Sequence, residues 1–183
     1  QRAEKLAHLA GDKLAGYAAP LGAEAAPALK PILADEYRAW LGTALDAGQK
    51  RGQWKIVNAL DLEVIGWLAA QKKSVPVSAE IAVGDSIIVG RKAVRHEAAG
   101  NALSDAEWAA LPESLDQAAV LYDTRSGKLL YVYPAIADGR QVKIALELDY
   151  VTKKPKTDLN MIVSAFKVEN DAIDGGLKGW VYE

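Results

Sequence analysis

Between residues 118 and 168 the apolar positions fall into short runs, each bounded by turn-forming residues and each about the length of one strand. Ala118 to Tyr122 is the first, closed by the loop Asp123-Thr124-Arg125-Ser126-Gly127. The second, Lys128 to Tyr133, is apolar on both faces and predicts a central strand. After Ala137-Asp138-Gly139 the chain alternates with period two from Gln141 to Tyr150. That period predicts Val142, Ile144, Leu146, Leu148 and Tyr150 on one face and Lys143, Ala145, Glu147 and Asp149 on the other. A fourth run, Asn160 to Val168, follows a Lys/Pro loop and places Asn160, Ile162, Ser164, Phe166 and Val168 together. Such a sheet needs an apolar cover on its core face. The pattern predicts an α+β fold: N-terminal helices followed by a four-stranded antiparallel sheet packed against a helix.

Upstream the apolar spacing changes to three and four residues. Residues 2–15 and 22–34 are alanine-rich but interrupted by Pro20, Pro27 and Pro31, which predicts short helices or loosely ordered segments. From Asp35, the recurrence of Tyr37, Trp40, Leu41, Ala44, Leu45 and Gly48 predicts an amphipathic helix with Lys50 and Arg51 in its last turn and Gly52 as its stop. Asp61 is placed to cap a second helix, Leu62 to Ala70. Lys72-Lys73-Ser74 reads as a junction. The runs 80–83 and 86–89, split by Gly84-Asp85, form either a hairpin or a strand leading into a helix. Arg91 to Ala99 is polar and holds Arg95-His96-Glu97. Ser104-Asp105-Ala106-Glu107 is a capping box before Trp108 and Leu111, a helix that Pro112 is expected to end and that is suited to cover the sheet.

Composition narrows the chemistry. A chain of 183 residues, half of them apolar, holds one domain with an accessory region or two small ones. The absence of cysteine removes disulfides and thiolate metal sites, and only His8 and His96 supply imidazoles, so no metal or other cofactor is expected. No run reaches the roughly 18–20 apolar residues that a membrane span requires, so no membrane partner is expected. A start at Gln1, with Met161 as the one methionine, suggests a processed product or the C-terminal piece of a longer protein. The net charge of −2 argues against indiscriminate coating of nucleic acid. Lys153, Lys154 and Lys156 nevertheless crowd one loop, with Arg140, Lys143 and Lys167 on flanking strands. That cluster reads either as a solvated loop or as a phosphate-facing rim.

The succession of a basic segment, Ala102-Leu103-Ser104 with Leu111-Pro112, Val120-Leu121-Tyr122-Asp123, Leu129-Leu130-Tyr131-Val132, Asp149-Tyr150 with Lys153, and then Asn160 to Val168 resembles the C-terminal domain of phage minor head (head morphogenesis) proteins. That domain is similar to the barnase/EndoU/colicin/RelE-like nuclease group. The resemblance spans about residues 56–170, through short motifs. It implies a helical N-terminal region over 1–72 and an α+β nuclease-like domain over 73–183. The family's basic position before the helix falls on His96, its tyrosine and lysine after the third strand on Tyr150 and Lys153, and its last-strand hydroxyl, usually threonine, on Ser164. Glu147 stands where such proteins carry a basic residue.

The chemistry of these residues accords with cleavage of RNA without a metal. That reaction needs a group to take the 2′-hydroxyl proton, a donor to the leaving oxygen, and cations or hydroxyls around the phosphate. The resemblance places catalysis at His96, Ser164 and Lys153 and a contact at Tyr150, and the basic cluster and polar segment add Arg95, Lys143, Lys154 and Lys156 as nucleic-acid contacts. It implies nucleic acid as partner, RNA ahead of DNA, with phage head or portal proteins beside it, in the bacterial cytoplasm or the virion. An antibacterial toxin is a related use of the same module. The residues also admit a plainer reading, with His96 at the core edge and Ser164 as a small filler. A non-catalytic assembly module contacting protein or packaged DNA is then the alternative function. Tyr131, Tyr133 and Trp108 read as core rather than as base-stacking rings.

Overall fold

The computed structural model describes residues 14–71, 73, 75–153, 156–170 and 180–182, the backbone alone at 14–27 and 180–182. The helix expected over the first residues, His8, the junction residues Lys72 and Ser74, and Lys154 lie outside the described residues. The elements in chain order are α1 (Leu14–Ala47), β1 (Trp54–Ala59), α2 (Leu62–Ala70), β2 (Glu80–Gly84), α3 (Asp85–Ile88), α4 (Arg91–Ala98), α5 (Asp105–Ala109) and α6 (Leu111–Gln117). The remaining strands are β3 (Ala119–Asp123), β4 (Lys128–Pro134), β5 (Gln141–Val151), β6 (Asp158–Val168) and β7 (Trp180–Tyr182).

The sheet has seven strands in the order β1-β2-β6-β5-β4-β3-β7. Every neighbouring pair is antiparallel except β2 and β6, which run parallel. This corrects the expected four-stranded antiparallel sheet: the predicted strands β3 to β6 stand side by side, but the sheet is larger and mixed. The additional strands carry weak local signals. In β1 only the last three residues are buried, and β2 is five residues long and buried throughout, so neither alternates. A parallel neighbour arrives by a long crossover, which no local pattern announces. The 80–89 stretch resolves as a strand running straight into a helix.

One large core lies between the helices and one face of the sheet. Leu29, Leu33, Tyr37 and Leu41 of α1 meet Val64 and Leu68 of α2, Trp108 of α5, Leu111 and Leu115 of α6, and Leu129, Tyr131, Val142, Ile144, Leu146 and Ile162 of the strands. The expected interruption of α1 at its prolines does not occur. Each proline removes an N–H from the helix ladder, but Leu29, Leu33, Tyr37 and Leu41 form a buried stripe at four-residue spacing, and Pro31 lies on the exposed side. The helix ends at Ala47, short of the expected Gly52, because Gly48 adopts φ +63° and turns its amide back onto the Ala44 and Leu45 carbonyls. Asp61 occupies the N-cap position of α2 without a capping bond, since its carboxylate receives Lys30 Nζ at 2.7 Å instead. The capping box at Ser104 and Glu107 forms with both of its bonds. Pro112 opens α6 rather than merely ending α5, in keeping with proline's fit to a first helical turn.

Two irregularities in the β5–β6 pair change which face each residue takes. Ala145 lies opposite Ser164 but Leu146 lies opposite Ile162, so Val163 is an extra residue on β6. Asn160 and Ile162 therefore stay with the core while Ser164 and Phe166 turn to the other face, correcting the single-face expectation for that strand. Glu147 opposes Met161 and Tyr150 opposes Leu159, which leaves an extra residue on β5, where Asp149 has φ +52°. Tyr150 is thereby separated from Val142, Ile144 and Leu146. It joins the side on which Leu159, Met161 and Ala82 cluster.

Asn160, fully buried, holds the second irregularity. Its Nδ2 donates to the Ser78 and Glu80 carbonyls at 2.7 and 3.0 Å, and its Oδ1 accepts from the Asp149 amide at 3.2 Å. Asn160→Ala strands these three backbone groups in the interior. It should destabilise the fold by about 2–4 kcal/mol in urea denaturation, and a loss under about 1 kcal/mol would show that other groups satisfy them.

Candidate functional site

Beyond Ile162, β2 no longer accompanies β6, because the chain leaves the sheet at Gly84-Asp85. The loop after α3 and helix α4 take over that edge. Gly90 makes the turn between them: a Cβ there would lie 2.3 Å from the Ser86 carbonyl oxygen, so only glycine fits. Lys92 Nζ then donates to the Val163 carbonyl at 2.6 Å, and the Lys167 amide donates to the Asn101 carbonyl at 2.8 Å.

Between those two attachments His96 lies over β6. Its ring stacks on Phe166 with centroids 5.1 Å apart and planes 10° apart. Nδ1 is 2.9 Å from Asn101 Oδ1. An amide oxygen only accepts, so this contact is made with a proton on Nδ1, and in the neutral ring Nε2 is then the acceptor. Lys143 lies opposite Phe166 in the strand register, with Nζ 5.9 Å from the ring centroid, and Ser164 lies opposite Ala145 on the same sheet face. His96, Phe166, Lys143 and Ser164 therefore gather around one stretch of β5 and β6.

A cavity of about 600 Å³ opens next to this group, one turn back along α4. It is lined by Lys50, Trp54, Asp85, Arg91, Lys92 and Lys153, with Tyr150, Met161 and Val163 on the strand side. Asp85 builds one wall. Its Oδ2 accepts from the Arg51 and Gln53 amides at 2.6 and 3.2 Å, while its own amide donates to the Gln53 carbonyl, tying the 51–53 loop to the end of β2. Tyr150 and Lys153 are brought here by the turn of β5 at Asp149 described above.

On the other side of α4, the loop that carries Asn101 is anchored by charge. Glu107, buried, receives the Ser104 amide at 2.8 Å, the Ile136 amide at 3.2 Å and Lys167 Nζ at 3.0 Å. Burial favours its neutral form, but these bonds outweigh it and hold the carboxyl below the ordinary glutamate value. Burial also works against the Lys167 charge, and the bonds to Asp138 and Glu107 reverse that, raising its pKa. Asp138, bonded by Arg140 and Lys167, is held below the usual carboxylate range. Arg140 in turn donates to the Gly100 carbonyl at 2.9 Å. Arg140 and Lys167 are thus structural ties at the far end of the β5–β6 pair from the 152–157 loop.

The residues singled out by sequence divide accordingly. His96, Ser164 and Lys143 share one region of the sheet, Tyr150 and Lys153 line the neighbouring cavity, and Arg95 and Lys156 are exposed outside both. Lys50, Trp54, Arg91 and Lys92 escaped sequence reading. Their signal was slight: the short basic pairs Lys50-Arg51 and Arg91-Lys92, in segments read as a helix end and a polar stretch. Among the described residues no group of three or more His, Asp or Glu side chains is placed to hold a metal ion, and no helix is long and apolar enough to cross a membrane. No family model, curated protein or solved structure matches the chain.

The anchor at Glu107 has a pH signature. A carboxyl whose pKa is depressed on folding contributes stability above its unfolded value and loses it as pH falls through the folded value. Glu107→Gln should cost about 3–5 kcal/mol at pH 7, as expected for breaking a buried pair. The gap from the parent chain should narrow only once pH drops below the ordinary glutamate value of 4.5. A gap unchanged down to the acid transition would show that the charge contributes nothing.

Proposed function

We propose that the chain is a metal-independent endonuclease module acting on RNA, of the kind carried by phage head proteins or reused as an antibacterial toxin. The observation that carries this reading is the setting of His96: Asn101 on Nδ1, Phe166 beneath the ring, Ser164 and Lys143 on the same sheet face, and cations lining the next turn. In the reaction, Nε2 of His96 takes the proton of a ribose 2′-hydroxyl. The O2′–P bond forms as the O5′–P bond breaks, and O5′ takes a proton from water, leaving a cyclic phosphate and a 5′-hydroxyl. Ser164 donates a hydrogen bond to the phosphate, and Lys143 sets positive charge beside it as negative charge builds on its oxygens. Lys153, in the neighbouring cavity, holds an adjoining phosphate rather than the one being cut.

Glu147 favours a second reading. It lies opposite Met161 on the face that would meet the phosphates, where a carboxylate repels them. A non-catalytic head-assembly module that contacts protein or packaged DNA accommodates that charge.

Incubation with mixed RNA and DNA in the presence of chelator separates the two. The nuclease reading expects RNA cleavage that survives chelation and a fall of about two to four orders of magnitude in a His96→Ala variant that stays folded. Cleavage that persists without His96, or that chelator abolishes, removes the assignment. A folded parent chain that cleaves nothing leaves the assembly reading.

A further inference from the structure

Resting on the nucleic-acid reading above, we infer that the cavity beside α4 is a subsite for single-stranded nucleic acid, holding phosphate against Lys50, Arg91 and Lys153 and a base against Tyr150. The first argument is charge. Several cations elsewhere are matched by carboxylates: Lys30 meets Asp61 and Asp116, Arg38 meets Glu113, Lys55 meets Glu36, Arg140 meets Asp138, and Lys167 meets Glu107. Lys50, Arg91 and Lys153 come from three distant segments, converge on one cavity, and make no ion pair among the described residues. The one carboxylate in the lining, Asp85, already has an oxygen turned to two backbone amides. Cations that outnumber the one carboxylate beside them raise one another's energy, and a bound polyanion relieves that while releasing its own counterions.

Shape selects the class of polyanion. A volume of about 600 Å³ suits a ligand of small-molecule size, here one or two nucleotides, rather than the side of a duplex. Tyr150 is 37 % exposed at the rim, and Trp54 packs on Ala82, Leu159 and Met161 behind it. A base reaches such rings only when unstacked, as single strands permit and duplexes do not. The cavity adjoins His96 through Lys92, which lies four residues earlier on the same helix, so a strand seated here continues toward the imidazole.

Binding measured on the full chain with strands that lack a 2′-hydroxyl nucleophile, short DNA and 2′-O-methyl RNA, keeps this inference apart from cleavage. Both single strands should bind more tightly than a duplex of equal length. The triple variant K50Q/R91Q/K153Q should weaken binding and flatten the plot of log affinity against log salt by about two, since each lost phosphate contact removes about 0.7 for single strands. Y150L, which keeps apolar bulk without a ring, should weaken binding by about 5- to 150-fold and leave the salt slope alone. R125Q, in the turn between β3 and β4, should bind as the parent does. Unchanged affinity and slope in the triple variant, a duplex bound as tightly as the single strand, or no effect of Y150L would each overturn the subsite. Retained binding in a chain that cleaves nothing supports the subsite and removes the nuclease reading alone.

Discussion

The side chain of Asn160 is the constraint on which the arrangement of the sheet depends. It sits on β6 with no solvent contact, and its amide reaches backward to the entry of β2 and sideways to the point where β5 changes face. In a dry interior each of those backbone groups needs a partner, and one amide, with two donors and an acceptor, supplies all three. The parallel junction of β2 with β6 and the turn at Asp149 are therefore a single construction. Asp149 completes it from the other side, its Oδ1 accepting the Val77 amide at 2.8 Å.

The face that carries the candidate site follows from that construction. Continued alternation along β5 would have left Tyr150 under the helices with Val142, Ile144 and Leu146. An extra residue at Asp149 sends it to the opposite face, beside Lys153 and the end of β2. On β6 the extra residue at Val163 does the same for Ser164 and Phe166, and the early departure of β2 leaves an edge along which α4 can lie. Irregularities of this kind recur next to active sites because they re-aim side chains without disturbing the core behind them.

Charge is distributed on the same plan. Lys30 and Arg38 on α1 are matched by carboxylates, and beside the Asn101 loop the Glu107–Lys167 pair is enclosed with its remaining lone pairs occupied by amides. A buried pair of this sort contributes little to net stability, but removing one partner is costly, so it pins the loop that orients His96. Where α4, the 50–54 loop and the β5–β6 hairpin meet, the cations are left unmatched at the surface. The matched pairs hold the frame, and the unmatched Lys50, Arg91 and Lys153 line the cavity.

The segments of four strands and the interior place of Leu129 to Tyr133 were legible from local apolar spacing, but not the larger mixed sheet they belong to, since burial of one or both sheet faces writes itself directly into period-two and continuous apolar runs. The capping box at Ser104 was legible for the same reason: its bonds span three residues. His96, Ser164, Tyr150 and Lys153 could be singled out by residue type and order. The continuity of α1 through its prolines, the joining of β1 and β2 to the sheet, and the two changes of face on β5 and β6 were not legible. They depend on contacts between residues far apart in the chain, such as Asn160 with Ser78 and Glu80. The meeting of Lys50, Arg91 and Lys153 at one cavity is of this second kind. Sequence by itself determined the segments of β3 to β6 and the capped helix at Ser104, because those are settled by neighbours a few positions away. Only the tertiary structure decided which side chains share a face and a cavity, because a single extra residue in a strand reverses that outcome and its stabilising partner lies tens of residues distant.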